Sequence, residues 1–216
     1  MIKSFVFKYL FKNKPLNRTF GYDRGTPIDR YYIENFLNTN NNLIKGNVIE
    51  VAENTYTKNF GRNKVLKSLI LHANNTDVKA DIIGNLETGE NLPEAIADCF
   101  IMTQTLPFML NPKEGIKNAL KLLKADGVLL ITVPGIVQIS RYDMDRWGHY
   151  WSFTDLSLQK LLEEFVHKEK IEIKTYGNVK SACGLLYGYS QEEFTKSDLD
   201  HYDKDYQVTI AAVVRK

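Results

Sequence analysis

The run 128-VLLITVP-134 constrains this chain more than any other stretch. A strand so continuously apolar has to be covered on both faces, which points to a parallel sheet between helices rather than an antiparallel sheet with one wet face. Other runs precede it: NVIEVA from 47, KSLILHA over 67–73, ADIIGNL over 80–86, and DCFIMTQTL from Asp98. Helical patterns lie between them. Thr26, Pro27 and Asp29 read as an N-cap, a first-turn proline and a first-turn acid, so PIDRYYIENFL is expected to be a helix with Ile28, Tyr32 and Phe36 on one face. Asn111 and Pro112 open a second helix lined by Ile116, Ala119, Leu120 and Leu123, and Gly127 is expected to stop it. Thr154 caps DLSLQKLLEEFV, after which a strand IEIKTYG, a helical region over 179–200 and a closing strand YQVTIAAVVRK complete the order. Strands alternating with helices in this way predict a doubly wound, Rossmann-like α/β fold.

The first two strands are separated only by positions 53–66, scarcely room for a loop and a full crossover helix, so the first crossover helix is expected to be short or missing. A chain of 216 residues suits one such domain, read here as 25–216 behind an N-terminal amphipathic segment, 1–24. Within that segment Ile2, Phe5, Val6, Tyr9 and Leu10 recur at helical spacing, with Lys3, Lys8, Lys12 and Lys14 largely opposite. Residues 1–14 could lie on an anionic membrane surface, or pack on their own domain or on a second subunit of a homo-oligomer. They lack a small-residue cleavage site, and the cytoplasm is the expected location. With 28 basic and 26 acidic residues the formal charge is +2, which calls for no polyanion and sets nucleic acid aside as a partner. Cys99 and Cys183 are isolated, with no CxxC and no His cluster beside them, and are expected to be buried thiols, not disulfide partners or metal ligands.

Four segments, GTPIDRYYIE, TQTL, LLITVPG and WGHYWSFT, set in this element order, resemble the class I S-adenosylmethionine-dependent methyltransferases. The likeness is strongest to a small bacterial branch associated with glycan biosynthesis clusters, and it extends from about Gly25 to the C-terminus. It implies an antiparallel last strand, S-adenosylmethionine as cofactor, and a small-molecule or glycan hydroxyl as acceptor. Carried over by position, Glu50 at the end of the first strand would lie near the methionine part of the cofactor. Asn85 and Leu86 would flank the adenine, and Thr103 and Gln104 would face the transferring methyl group. The family's glycine-rich loop after the first strand is absent: Ala52, Glu53, Asn54 and Thr55 stand there, and Asn54 is a residue that tolerates the left-handed conformation a glycine would take. The acid that usually ends the second strand is also absent, with Leu71, His72 and Ala73 in its place. This degenerate motif leaves a second expectation open, a catalytically inactive protein of the same fold serving as a binding or scaffold component.

A hydroxyl acceptor needs a base, and His149 in 147-WGHYW-151 is the candidate, since this stretch follows the fifth strand and should hang over the ligand crevice. Asp143 and Asp145 are alternatives, and His149 could equally be stacked among aromatics as part of a lid. Trp147, Tyr150 and Trp151 could form a sugar-stacking platform, because flat rings suit the C–H faces of pyranoses, or could be core beneath a long loop. Tyr31 and Tyr32 could close over the cofactor or pack the first helix, and Arg30 could meet a carboxylate or phosphate. No GxSxG, P-loop or HExxH occurs.

Overall fold

The computed structural model describes residues 13–74 and 79–216, so most of the 1–14 segment lies outside the described residues. Seven strands form one sheet: β1 (Gly46–Val51), β2 (Val65–His72), β3 (Ile82–Ile83), β4 (Ala97–Thr103), β5 (Leu123–Pro134), β6 (Ile171–Tyr176) and β7 (Thr209–Arg215). Their spatial order is β3-β2-β1-β4-β5-β7-β6, parallel from β3 to β5, with β7 antiparallel to both β5 and β6. This is the expected doubly wound α/β architecture.

Alternation along the strands builds two cores. Phe100 and Met102 point to one face, where Leu129, Ile131, Ile210 and Ala212 meet Ile116 and Ala119 of α2 (Pro112–Leu122) and Leu158 and Leu162 of α4 (Asp155–Glu163). Cys99 and Ile101 point to the other, beneath Ile33, Phe36 and Leu37 of α1 (Ile28–Thr39). The remaining side of α1, with Ile28 and Tyr32, packs on Ala182 and Leu185 of α5 (Val179–Tyr187) and Leu199 of α6 (Lys196–Asp200). Between β5 and α4 runs the seven-residue helix α3 (Arg141–Trp147). No helix among the described residues is long and apolar enough to cross a membrane.

The β1–β2 crossover is short, as the spacing predicts. It holds a single wide turn over Thr57–Gly61 and a 3-10 turn over Arg62–Lys64 in place of a full helix. Other elements depart from expectation. Thr26 does not cap α1; Pro27 holds that position without a side-chain bond, and the Thr26 amide donates to the Glu192 carboxylate at 2.9 Å. Helix α2 ends at Leu122 instead of running to Gly127, because Leu123 already pairs with Ala97 and residues 124–127 are looped out, with Asp126 at φ 61°. ADIIGNL shrinks to a two-residue strand, since Asn85 bends the chain back: its carbonyl accepts from Gly89 N at 2.8 Å and its amide donates to Glu90 O. The helical region 179–200 splits at Gly188, whose φ of 73° ends α5 where a Cβ would strike the Asn17 carbonyl. Cys99 is buried, with desolvation pushing its thiol up to about 12, whereas Cys183 is only half-buried.

Thr154 caps α4 as the sequence predicts. Its Oγ1 accepts from Ser157 N at 3.2 Å while Ser157 Oγ accepts from Thr154 N at 2.9 Å. Thr154→Ala is expected to cost about 1 kcal/mol and lower the melting temperature by about 2–4 °C, read by thermal unfolding monitored by circular dichroism.

Candidate functional site

In a sheet ordered 3-2-1-4-5 the connections change direction between β1 and β4, and the carboxyl ends of the strands flanking such a switch open into a crevice. A cavity of about 1680 Å³ lies there. Its walls include Glu50 near the end of β1 with Ala52 and Glu53 beyond it, His72 at the end of β2, Asn85 and Leu86 after β3, and Thr103 at the end of β4 with Gln104 next to it. Trp147 and His149 line it from the segment after β5, and Arg18, Phe20, Asp29 and Arg30 from the chain before the sheet. Of the residues singled out in the sequence, Asn54, Tyr150 and Trp151 do not reach this cavity, nor do Tyr31, Tyr32 and Asp145. The Asn54 amide donates to Ser68 Oγ at 3.2 Å, on the flank of β2. Tyr150 N donates to Pro107 O at 2.9 Å and Trp151 Nε1 to Met109 O at 3.0 Å, which pins that part of WGHYW to the segment after β4.

Glu50 shares the face of Val48 on β1 and is 2% exposed. Its carboxylate accepts from Tyr56 N at 3.1 Å, Thr57 N at 2.7 Å and Thr57 Oγ1 at 2.7 Å. It therefore caps the crossover turn, satisfying amides that a longer helix would aim at a ligand. Burial pushes its carboxyl above the usual range, against the pull of the Thr57 and Tyr56 donors. Two residues beyond, Ala52 is held at φ 68°, its amide donating to Leu71 O at 2.9 Å. Gln104, the residue after β4, is at φ 49°, its amide donating to Thr132 O at 2.9 Å. For residues with a Cβ such conformations cost about 1–2 kcal/mol each, and they persist where the surroundings impose them. Both strained positions face the cavity, on either side of the switch.

Gln104 carries a second mark. Its side-chain Nε2 is buried and has no partner among the described residues. The same holds for His149 Nδ1, whose ring stands edge-on to Phe108 at 5.5 Å. Desolvation lowers the His149 pKa, against a raising influence of Asp143. Asp143 itself lines the cavity and accepts from Ser140 Oγ at 2.5 Å, whereas Asp145 is not part of the wall. Trp147 stands edge-on to His72 at 5.8 Å, and His72 Nδ1 lies 2.9 Å from Asn74 O. At Asn85, Oδ1 accepts from Glu87 N at 2.8 Å and Thr88 N at 3.2 Å, while Leu86 is buried and its carbonyl accepts from Asn118 at 2.9 Å. Tyr31 and Tyr32 turn from the cavity to the C-terminal helices, donating to Asp200 at 2.6 Å and to Leu199 O at 3.1 Å. No sequence pattern marked the wall built by residues 15–22, because that segment has neither helical nor strand periodicity.

The sheet order, the antiparallel seventh strand and the crevice at the switch point define a class I methyltransferase-like fold. Solved structures share it. One of a SAM-dependent methyltransferase from Archaeoglobus fulgidus superposes with a TM-score of 0.55 at 10% identity, covering 100% of this chain and 99% of that one. The N-methyltransferase NodS from Bradyrhizobium japonicum, solved with S-adenosyl-L-homocysteine, gives 0.55 at 11% identity over 99% and 97%. The [4+2]-cyclase SpnF gives 0.52 at 15% identity over 85% and 80%. At such identities the likeness is one of fold, and the cyclase among these structures is a reminder that fold does not dictate reaction. No protein-family model matches the sequence, and no curated protein does.

Proposed function

We propose that this chain is an S-adenosylmethionine-dependent methyltransferase acting on a small molecule or a glycan hydroxyl. The observation that carries the reading is Gln104: a strained residue at the switch point whose buried side-chain Nε2 has no partner among the described residues. A buried donor left unmade costs about 1–3 kcal/mol, so an acceptor supplied by a ligand accounts for it. The volume is also apt. Small-molecule sites run to about 300–1,000 Å³, and a cavity of about 1680 Å³ has room for a donor and an acceptor side by side.

The residues present fit the cofactor in part. All six carried-over positions line the one cavity, and if the family's arrangement holds, Asn85 and Leu86 would flank the adenine, Thr103 and Gln104 would face the reacting centre, and Glu50 and Ala52 would lie beside the amino-acid end. S-adenosylmethionine, when bound, supplies an electrophilic methyl group open to in-line displacement. The chain's own contribution is positioning, since such a displacement asks chiefly that two reactants be held in line. His149 takes the acceptor's proton at whichever ring nitrogen is free, and its lowered pKa keeps the ring neutral for that role at pH 7. Trp147, edge-on to His72 at the end of β2 and 36% exposed, is the ring on the cavity wall that a sugar would stack on.

A second reading, a binding protein without catalysis, is favoured by His72. A carboxylate at this strand end would accept charge-assisted hydrogen bonds of about 1.5–3 kcal/mol each from ribose hydroxyls, and the His72 ring is already engaged with Asn74 and Trp147. Calorimetric titration decides whether the nucleoside is bound at all. Saturable binding of S-adenosylmethionine and S-adenosylhomocysteine below millimolar concentration is the expected result, and absence of heat at millimolar ligand would remove the methyltransferase reading. Binding without transfer to any hydroxyl acceptor would leave the second.

A further inference from the structure

On this fold the backbone amides opening the first crossover helix are the natural partners for a ligand's negative end. Two of them are spent here. Tyr56 N and Thr57 N donate to Glu50, and the irregular helical stretch that holds them covers only positions 55–64. A charged ligand end in this corner depends on side chains to make up for them.

Two oppositely charged side chains stand there, on consecutive residues in the first turn of α1. Asp29 and Arg30 line the same cavity as Glu50, Ala52 and Glu53. Arg30 Nη1 donates to Tyr56 Oη at 2.5 Å, with its guanidinium 5.6 Å from the centre of the Tyr56 ring. That bond ties the guanidinium to the very turn that Glu50 caps. Among the described residues Arg30 has no ion pair, and four of its five N–H donors are left over. The Asp29 carboxylate accepts one bond, from the Arg30 amide at 2.9 Å. Two neighbouring acids are otherwise engaged, Glu50 with the crossover turn and Glu53 with Thr55 Oγ1 at 2.9 Å, while Glu34, one turn further along α1, feels the Arg30 charge without a salt bridge to it.

Burial pushes the Asp29 carboxyl above its usual range, against the pull of the Arg30 guanidinium beside it, and neither group has a salt-bridge partner among the described residues. A guanidinium and a carboxyl side by side in one cavity wall match a ligand end that carries one carboxylate and one ammonium, whose positive charge would hold Asp29 ionised. We propose that Asp29 and Arg30 clamp the α-amino-acid end of the donor, Arg30 taking the α-carboxylate through paired N–H donors and Asp29 the α-ammonium. The inference rests on the cofactor reading above and adds to it which residues replace the lost backbone site. Tyr56 acts through Arg30 as a positioning residue.

The test compares two ligands by calorimetry on the full chain. S-adenosylhomocysteine carries the amino-acid end, and 5′-methylthioadenosine has the same nucleoside and thioether without it. The wild type is expected to bind the first more tightly. Arg30→Met, which keeps the length of the side chain and removes its charge, should weaken S-adenosylhomocysteine by roughly tenfold to a hundredfold and leave methylthioadenosine unchanged. Asp29→Asn should move the same ligand in the same direction, and Tyr56→Phe should give a smaller, equally selective loss. Equal weakening of both ligands, or no weakening, overturns the clamp while leaving the cofactor reading intact. If the wild type binds neither ligand, the cofactor reading falls and the clamp with it. Thermal melting of each variant confirms that a loss of binding is not a loss of fold.

Discussion

Glu50→Ala is expected to destabilise the protein by about 3–5 kcal/mol and to lower its melting temperature by about 10 °C. Three donors lose their acceptor at once: Tyr56 N, Thr57 N and Thr57 Oγ1, all buried against β1. Each unmade bond costs about 1–3 kcal/mol, so three sum to about 3–9 kcal/mol, and water entering from the cavity recovers part of this, leaving about 3–5 kcal/mol. Glu50→Gln separates charge from shape, because its amide keeps one accepting oxygen and turns a donor toward the remaining N–H groups. The pH dependence gives an independent check on sign. Burial holds the folded pKa of Glu50 above its ordinary value of 4.5, so the folded state binds the proton more tightly than the unfolded chain. The stability linked to that proton is complete below 4.5 and is lost as pH rises through the folded value. The gap in melting temperature between the wild type and Glu50→Gln should therefore narrow as the buffer is taken from acid to neutral. A loss below about 1 kcal/mol in Glu50→Ala would mean that the crossover turn is held by something other than this carboxylate.

The same residue shows what the sequence could and could not convey. The sheet was legible because buried parallel strands are uniformly apolar, and because Asn111, Pro112 and Thr154 announce their helices by side-chain chemistry that acts within one turn. The short crossover followed from counting residues between β1 and β2. The destination of the Glu50 carboxylate did not, since it is set by how the crossover turn packs back on β1. Neither Ala52 nor Gln104 signals a positive φ, because that conformation is imposed by neighbouring strands on residues that avoid it in isolation. The motif WGHYW looked like one platform but divides in two. Gly148, at φ 88°, ends α3 and leaves Trp147 and His149 on the cavity, while Tyr150 and Trp151 are bonded to Pro107 and Met109. Asp29 and Arg30 were visible as a first-turn acid and a basic neighbour, but their place in the wall depends on α1 docking beside the crossover turn.

His149→Gln should lower the turnover number by about 10²–10⁴-fold, the usual contribution of a positioned base, and leave the affinity for S-adenosylhomocysteine unchanged. The measurement is transfer of labelled methyl from S-adenosylmethionine to a panel of methyl glycosides and small hydroxylated acceptors, followed by the variant on whichever acceptor responds. Position and protonation both favour the role. The ring lines the cavity beside Phe108, in the segment after β4, and desolvation depresses its pKa from 6.5, so the wild-type rate should be flat through neutrality and fall only on the acid side of that value. Packing alone would give a different pattern. The ring sits edge-on to Phe108 at 5.5 Å, and His149→Phe preserves that aromatic contact while removing both nitrogens. If His149 is a lid residue, the Phe variant keeps its activity and the Gln variant loses some stability. If it is the base, both variants lose turnover alike and the acid limb disappears from whatever rate remains, because nothing near neutral pH is left to titrate. Retention of full activity in His149→Phe would move the proton to another acceptor, with Asp143, already on the cavity wall, the first to examine by Asp143→Asn.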